Sequence, residues 1–552
     1  MNGSKLTPWQ RFVGIIQLER RDIMQVFYYA IFSGLVALSL PLGIQAIINL
    51  IQGAQISTSW IILVILVTVG VAFVGILQLM QLRIIETIQQ RIFTRASFEF
   101  TYRFPKIKMM ELRNYYPPEL ANRFFDTLSV QKGLYKILID VPAAGIQVIF
   151  ALLLLSFYHP FFIIFGILLM LLIYLVFRFT AKRGMQTSLA ESKNKYKVAH
   201  WIQEVARAVI SFKLSGKTNL AISKNDELVS QYLDARESHF RILMIQFIQM
   251  IGFKVIVTGG LLIIGGALVL NQEMNIGQFV AAEIIIILVI NSVEKLILGL
   301  ESFYDVLTSL EKLGQVVDKE LESIEGEMPV LRDGFKIELK DIEYSVPNRD
   351  IPILSDVNLK ITAGSRLLIR GESGSGKSSL LRLIAGIIEP TKGRIHIDDH
   401  SIESIQLNHY RSQIGLSLTD ETPFEGTLRE NITFGDSALN DEDIYWALDQ
   451  VGLTDFLKDQ KLGLNTILYP EGKQISYSVA KKIILARAIV KRPKLLILED
   501  SLDQFEVNET ELIMNTLTAK DAPWTLIVVS MNPRWQNYCS KNIILKKGKL
   551  SD

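Results

Sequence analysis

Thiol chemistry is almost missing from this sequence, which has one cysteine, Cys539, among 552 residues. That excludes an intrachain disulfide and fits a chain whose polar parts face a reducing cytosol. A lone Cys reads as a small packed residue rather than a nucleophile. Charge imbalance is missing as well, because 58 Lys and Arg set against 56 Asp and Glu leave a net charge of +2. Nothing in that balance calls for a nucleic-acid partner. A cleavable signal is absent too, since Glu19, Arg20, Arg21 and Asp22 interrupt the opening stretch and no apolar core precedes them.

Apolar residues, by contrast, are abundant. At 49% hydrophobic and 21% charged the chain is too oily for a soluble enzyme, and at this length it should divide into two or three domains. A bilayer span needs about 20 mostly apolar residues. Segments of that kind lie near Ile23–Leu50, Trp60–Ile85, Ile137–Phe157, Phe161–Phe179, Met244–Leu270 and Ile276–Leu300. None recurs after Leu300. Ahead of them, Thr7-Pro8 followed by WQRFVGIIQL predicts a capped amphipathic helix on the membrane surface, within an N-terminal segment 1–22.

Lys and Arg give the orientation. The short loops Gln52–Ser59, Ser156–Pro160 and Asn271–Asn275 contain neither, while Arg83–Lys136 and Arg178–Arg241 are rich in both. The positive-inside rule puts the short loops outside, with both termini and the long stretches in the cytoplasm. Runs such as IIETIQQRIF and WIQEVARAVISF keep a helical apolar period, so the membrane helices are expected to continue into the cytosol. These features set a six-helix membrane domain at 23–312.

An acidic linker, 313–334, follows. From Phe335 the pattern becomes strand-like (FKIELKDIEYSV, ILSDVNLKITAGSRLLIRG), with turns at Pro347-Asn348 and Ala363-Gly364. The later runs KLLIL and TLIVVS read as buried parallel strands, so 335–552 is expected to be an α/β domain. Its sharpest signal is Gly371–Ser379, GESGSGKSS, between the strand RLLIR and the helical run SSLLRLIAG. The residues Gly371, Glu372, Ser373, Gly374, Ser375, Gly376, Lys377, Ser378 and Ser379 would wrap backbone N–H groups around a polyphosphate. Lys377 would reach the β- and γ-phosphates of ATP, and Ser378 would take a place on Mg²⁺. LLILED ends in two acids, Glu499 and Asp500, of the kind that complete a nucleotide-hydrolysing site.

Six spans joined to a P-loop domain resemble an ABC transporter half of the exporter type. ETPFEGTLRENITFG (Glu421–Gly435) is similar to the family's segment after its glutamine loop. KKIILARAIVKRPKLLILED is similar to the helix and strand joining the family signature to its acidic pair. MNIGQFVAAE (Met274–Glu283) resembles the start of the sixth helix in type 1 secretion and bacteriocin-export transporters. The resemblance implies an ATP-dependent exporter in the bacterial inner membrane. It also implies a dimer, with itself or a related half, and allows a periplasmic adaptor. With 22 residues ahead of Ile23, the chain is not expected to trim leader peptides itself.

Departures from the family fall on its catalytic positions. LSGGQ, which reaches across the dimer to the partner's γ-phosphate, aligns with Ile475-Ser476-Tyr477-Ser478-Val479. Tyr477 and Ser478 place side chains where glycine lets backbone approach phosphate. The sensing glutamine aligns with Thr419, the switch histidine with Met531, and the adenine-stacking aromatic with Val346, leaving Tyr344 as the substitute. The usual Asp-Glu order is reversed. Glu499 could still hold Mg²⁺, but Asp500 falls a methylene short of the attacking water. Two readings follow: an exporter subunit with slow hydrolysis, or an ATP-binding, non-hydrolysing membrane subunit for assembly or regulation.

Two expectations concern the membrane half. The turns Asn114–Phe124 and Glu204–Gly216 resemble short helices that dock on the nucleotide domain in exporters. Asp140 and Lys254 lie roughly 24–27 Å below the outer ends of their helices. Charges at such depth call for a partner or water. The two are expected to face the central cavity and interact, directly or across a dimer, with Glu283 wet nearer the outer end.

Overall fold

Among the described residues, six helical stretches are long and apolar enough to cross a bilayer: Arg20–Gln52, Thr58–Lys106, Pro117–Ser156, Phe161–Arg207, Leu220–Leu270 and Ile276–Val317. The computed structural model describes residues 6–52, 58–331, 334–347, 349–502 and 505–551. Most of the expected outer loop Gln52–Ser59, residue 348 of the expected turn, two residues of the linker and residues 503–504 after the acidic pair lie outside the described residues. The chain divides into two compact units. One is Met1–Ile107 with Glu111–Glu320, and the other is Leu321–Asp552 with Lys108–Met110.

In the first unit, helix length follows from the sequence period. Phe161–Arg207 runs 47 residues and Leu220–Leu270 runs 51. At 1.5 Å per residue these are about 70–77 Å long, more than twice the ~30 Å hydrocarbon layer. IIETIQQRIF lies within the continuous helix Thr58–Arg103, whereas WIQEVARAVISF breaks at Ala208, between Phe161–Arg207 and Val209–Leu214. The first span breaks between Ala37 and Ser39, where the ring of Pro41 would meet the carbonyl four residues back. The third contains a wide turn at Lys136–Asp140, in which the Val141 N–H reaches back to the Lys136 carbonyl. Pro142 follows it and has no N–H for the ordinary ladder.

The N-terminal helix Pro8–Leu18 forms as predicted, with Thr7 and Gln10 in a reciprocal cap and Pro8 in the first turn. Phe12 is buried with its ring centroid 5.1 Å from that of Phe303, and Arg11 pairs with Asp318. One face of the helix is thus held by the sixth span, while Trp9 stays exposed.

The expected Asp140–Lys254 contact is not made within the chain. The Lys254 ammonium lies 2.5 Å from a carboxylate oxygen of Glu294 on the sixth span. A cation within a spanning segment calls for a partner, and the fifth and sixth spans pack side by side. Glu283 is half-buried.

The second unit is α/β, built from β1 (Ile337–Tyr344), β2 (Leu354–Ile361), β3 (Arg366–Arg370), β4 (Lys392–Ile397), β5 (His400–Ser401), β6 (Ile414–Ser417), β7 (Gly426–Thr427), β8 (Ile467–Leu468), β9 (Leu495–Glu499), β10 (Thr525–Val529), β11 (Lys541–Lys546) and β12 (Lys549–Ser551). An antiparallel sheet has the order β2-β1-β4-β5. A second sheet, β12-β11-β3-β10-β9-β6, is parallel apart from its edge strand β12. Every residue of β9 and β10 is buried, as continuous apolar runs in a covered parallel sheet require. Register then fixes the site. Val529 pairs with both Ile369 and Glu499, so β3, β10 and β9 end at one level. Ligands of open α/β sheets bind beyond these carboxyl ends.

Candidate nucleotide site

Gly371–Ser379 leaves the end of β3 and turns into the helix Lys377–Ile384. Gly374 and Gly376 have φ of +77° and +103°, a region that residues with a Cβ rarely adopt. A Cβ on Gly371 would sit 2.2 Å from the Leu545 carbonyl oxygen. The loop therefore needs its glycines for both conformation and space. Its polar groups fit a polyphosphate. The Lys377 ammonium folds back to donate to the carbonyls of Gly371 (2.8 Å) and Glu372 (2.9 Å). The buried Ser375 hydroxyl has no hydrogen-bond partner among the described residues, and such a group normally finds one.

Glu499 ends β9 and is 5% exposed. The Ser378 hydroxyl donates to its carboxylate. The two side chains expected to hold Mg²⁺ are thus already in contact, although 121 residues apart in sequence. An Mg²⁺ site takes one or two carboxylates and hydroxyls, with water and phosphate oxygens for the rest. This donor set fits.

The residues expected to act on water are arranged differently. Asp500 has φ of +44°, and its N–H donates to the Val529 carbonyl at 2.8 Å. The side chain of Thr419 is spent on the Glu499 backbone carbonyl, to which its hydroxyl donates at 3.3 Å. Met531, just beyond β10, is 64% exposed and presents a thioether that cannot donate a hydrogen bond.

Ser476 caps the helix Tyr477–Ile489, its hydroxyl accepting from the Val479 N–H at 3.3 Å and lying 3.1 Å from that of Ser478. A helix N-terminus attracts anions through its free N–H groups. Here the hydroxyl of Ser476 already takes one of those groups. Tyr477 stands at the first helical position, 49% exposed. The arrangement keeps the dipole and loses the bare backbone that glycines would provide.

The expected adenine partner is not presented. Tyr344 and Val346 are 7% and 9% exposed and lie in the core under β1, because alternation along the strand turns residues 342, 344 and 346 to the same buried side. A ring held there offers no open face for stacking.

Two residues escaped the sequence reading. Glu294 is the partner of Lys254, and the pattern NSVEKLIL, a charge pair inside an apolar span, was the available signal. Lys481 follows the signature and is 5% exposed. Its signal was a pair of lysines in an otherwise apolar helix.

Comparison with known proteins places these features. Residues 354–502 match the protein family "ABC transporter". The chain is 27% identical over 349 residues to the leukotoxin translocation ATP-binding protein LktB of Mannheimia haemolytica, covering 63% of this chain and 49% of that protein. A LktB from Bibersteinia trehalosi is 28% identical over 328 residues, covering 59% and 46%. The chain thus matches about half the length of these curated relatives. The structure of a bacterial Atm1-family ABC exporter with ATP bound superposes with a TM-score of 0.82 over 97% of this chain and 95% of that one, at 16% identity.

Proposed function

We propose, for a chain that is an ABC transporter half with the exporter fold, that it binds Mg-ATP and moves a substrate across the bacterial inner membrane with slow hydrolysis. The observation that carries this reading is the Ser378–Glu499 contact beside a P-loop with its glycines and lysine in place. When bound, Mg²⁺ supplies positive charge to the β- and γ-phosphates. Ser378 and Glu499 would hold it, Lys377 would neutralise phosphate charge, and the loop's N–H groups would orient the chain of phosphates.

Weak hydrolysis follows from the other side of the site. Asp500 is one methylene shorter than Glu, and a misplacement of ~1 Å in a catalytic group costs about 100-fold. Met531 cannot orient water. The Thr419 side chain is too short to sense phosphate. In this family each site joins the P-loop of one chain to the signature of another. This chain is altered on both, so a homodimer has two altered sites and a heterodimer has no fully regular one.

The Lys and Arg distribution supports a cytoplasmic nucleotide domain with both termini inside. The similarity to leukotoxin translocation proteins supports export, with a dimer of this half or a related one and a periplasmic adaptor as partners. Exposed Tyr477 favours a second reading, in which bound ATP serves assembly or regulation without turnover. The turns Asn114–Phe124 and Glu204–Gly216 are proposed to dock on a nucleotide domain, and cysteines placed there should crosslink to it. Purified protein assayed for nucleotide binding and for Mg-ATPase, alone and with a related half, tests the proposal. Binding without usual-range turnover supports it, and failure to bind ATP sinks it.

A further inference from the structure

The helix that follows the signature buries a charge that phosphate binding does not use. Lys481 lies in the second turn of Tyr477–Ile489, and its ammonium donates to three backbone carbonyls: Thr419 at 2.6 Å, Glu421 at 2.9 Å and Leu418 at 3.5 Å. An ammonium has three donors and no acceptor, so these three oxygens satisfy it completely. A buried cation left without such partners would cost far more than it could return. Burial lowers the Lys481 pKa, while the carboxylates of Glu421, Asp420 and Glu499 pull it back up.

The three carbonyls belong to one tight turn. Leu418 directly follows β6, and the Glu421 N–H donates to the Leu418 carbonyl at 3.3 Å. Within the turn sits Thr419, whose hydroxyl holds the carbonyl of Glu499. Glu499 in turn receives the Ser378 hydroxyl. A continuous path of hydrogen bonds therefore runs from the helix capped by Ser476, through Lys481 and the Leu418–Glu421 turn, to the side chains that would hold Mg²⁺.

We propose that Lys481 is a positioning residue that locks the signature helix to the Leu418–Glu421 turn, and through Thr419 holds the end of β9 in place. The consequence of this lock is that the helix expected to face a partner's phosphate and the turn beside the chain's own Mg²⁺ position move as one body. That consequence rests on the function proposed above, and the lock itself does not.

Hydrogen exchange of the full-length, nucleotide-free protein tests the lock directly. In Lys481→Met, peptides covering 418–421 should exchange about 10-fold faster than in the wild type, the scale of losing hydrogen bonds to a charged group. Lys481→Gln, which keeps two N–H donors and loses the charge, should fall between them and serves if the Met variant does not fold. Unchanged protection at 418–421 in either folded variant overturns the proposal. A uniform loss across the nucleotide-binding unit, with no excess at that turn, would reduce Lys481 to an ordinary core contact and overturn it equally. A separate titration with Mg-ATP tests the consequence, where Lys481→Met should weaken binding several-fold. If the wild type itself bound no ATP, the function proposed above would fail while the exchange result still stood.

Discussion

The two sides of the nucleotide site have been treated differently. On the phosphate side, Gly374 and Gly376 take the positive φ that the loop requires, Lys377 folds back on the loop's own carbonyls, and the Ser378 hydroxyl touches Glu499. On the water side, Thr419 is turned to backbone, Met531 faces solvent, and Tyr477 fills the first helical position of the signature. Holding a phosphate asks for many modest N–H and cationic contacts, whereas activating a water asks for one or two groups placed within a fraction of an ångström. Under the proposed function, the first requirement is met by loop conformation, and the second is lost with a methylene. Binding and turnover can therefore separate in one protein.

The largest way to break this comparison is to remove its intact side. Lys377→Ala should lower ATP affinity by about 100-fold or more, because the cation proposed to meet the phosphates is gone. Calorimetric titration checks this, and unchanged affinity would put the nucleotide elsewhere. The next repairs the damaged side. Glu499→Asp, Asp500→Glu and Met531→His together should raise the Mg-ATPase rate by about 10- to 100-fold, measured by phosphate release. Adding Tyr477→Gly and Ser478→Gly to that triple variant should bring a smaller further gain, about 10-fold, by restoring backbone donors to phosphate. If the pair alone restored turnover, the signature rather than the acids would be limiting.

The smallest effect is electrostatic. Burial raises the Glu421 carboxyl above 4.5, and Arg487 draws it partly back. A group whose pKa rises on folding adds stability that is complete below its unfolded value and is lost as pH climbs through the folded one. Relative to Glu421→Gln, the wild type should therefore lose stability as pH rises above 4.5, seen as a midpoint shift of about 2 °C. A flat difference would mean that Glu421 is solvated in the folded protein.

Much of this was legible in sequence because it is local. The P-loop sits between a strand and a helix, and the apolar runs KLLIL and TLIVVS are β9 and β10. Helix continuity through Arg83–Lys136 was visible only in part. The second span ends at Lys106, and shorter helices follow after the prolines at 105 and 117. What sequence could not supply was direction. Tyr344 was expected to offer its ring to adenine, yet strand alternation turns it into the core. Lys254 was matched to Asp140 by depth, but depth does not say which carboxylate faces it, and Glu294 does. Lys481 carried no reading in sequence, because the turn at Leu418–Glu421 that closes over it is 60 residues away.

The central claim is that this chain holds ATP far better than it cleaves it. The most direct measurement is the fate of bound nucleotide. Purified protein is loaded with labelled ATP and Mg²⁺, separated from free nucleotide, and sampled over time for ATP and ADP. The account predicts that the label stays bound as ATP, with turnover well below ~10 per second, the median for enzymes. Rapid conversion to ADP at that rate would contradict it.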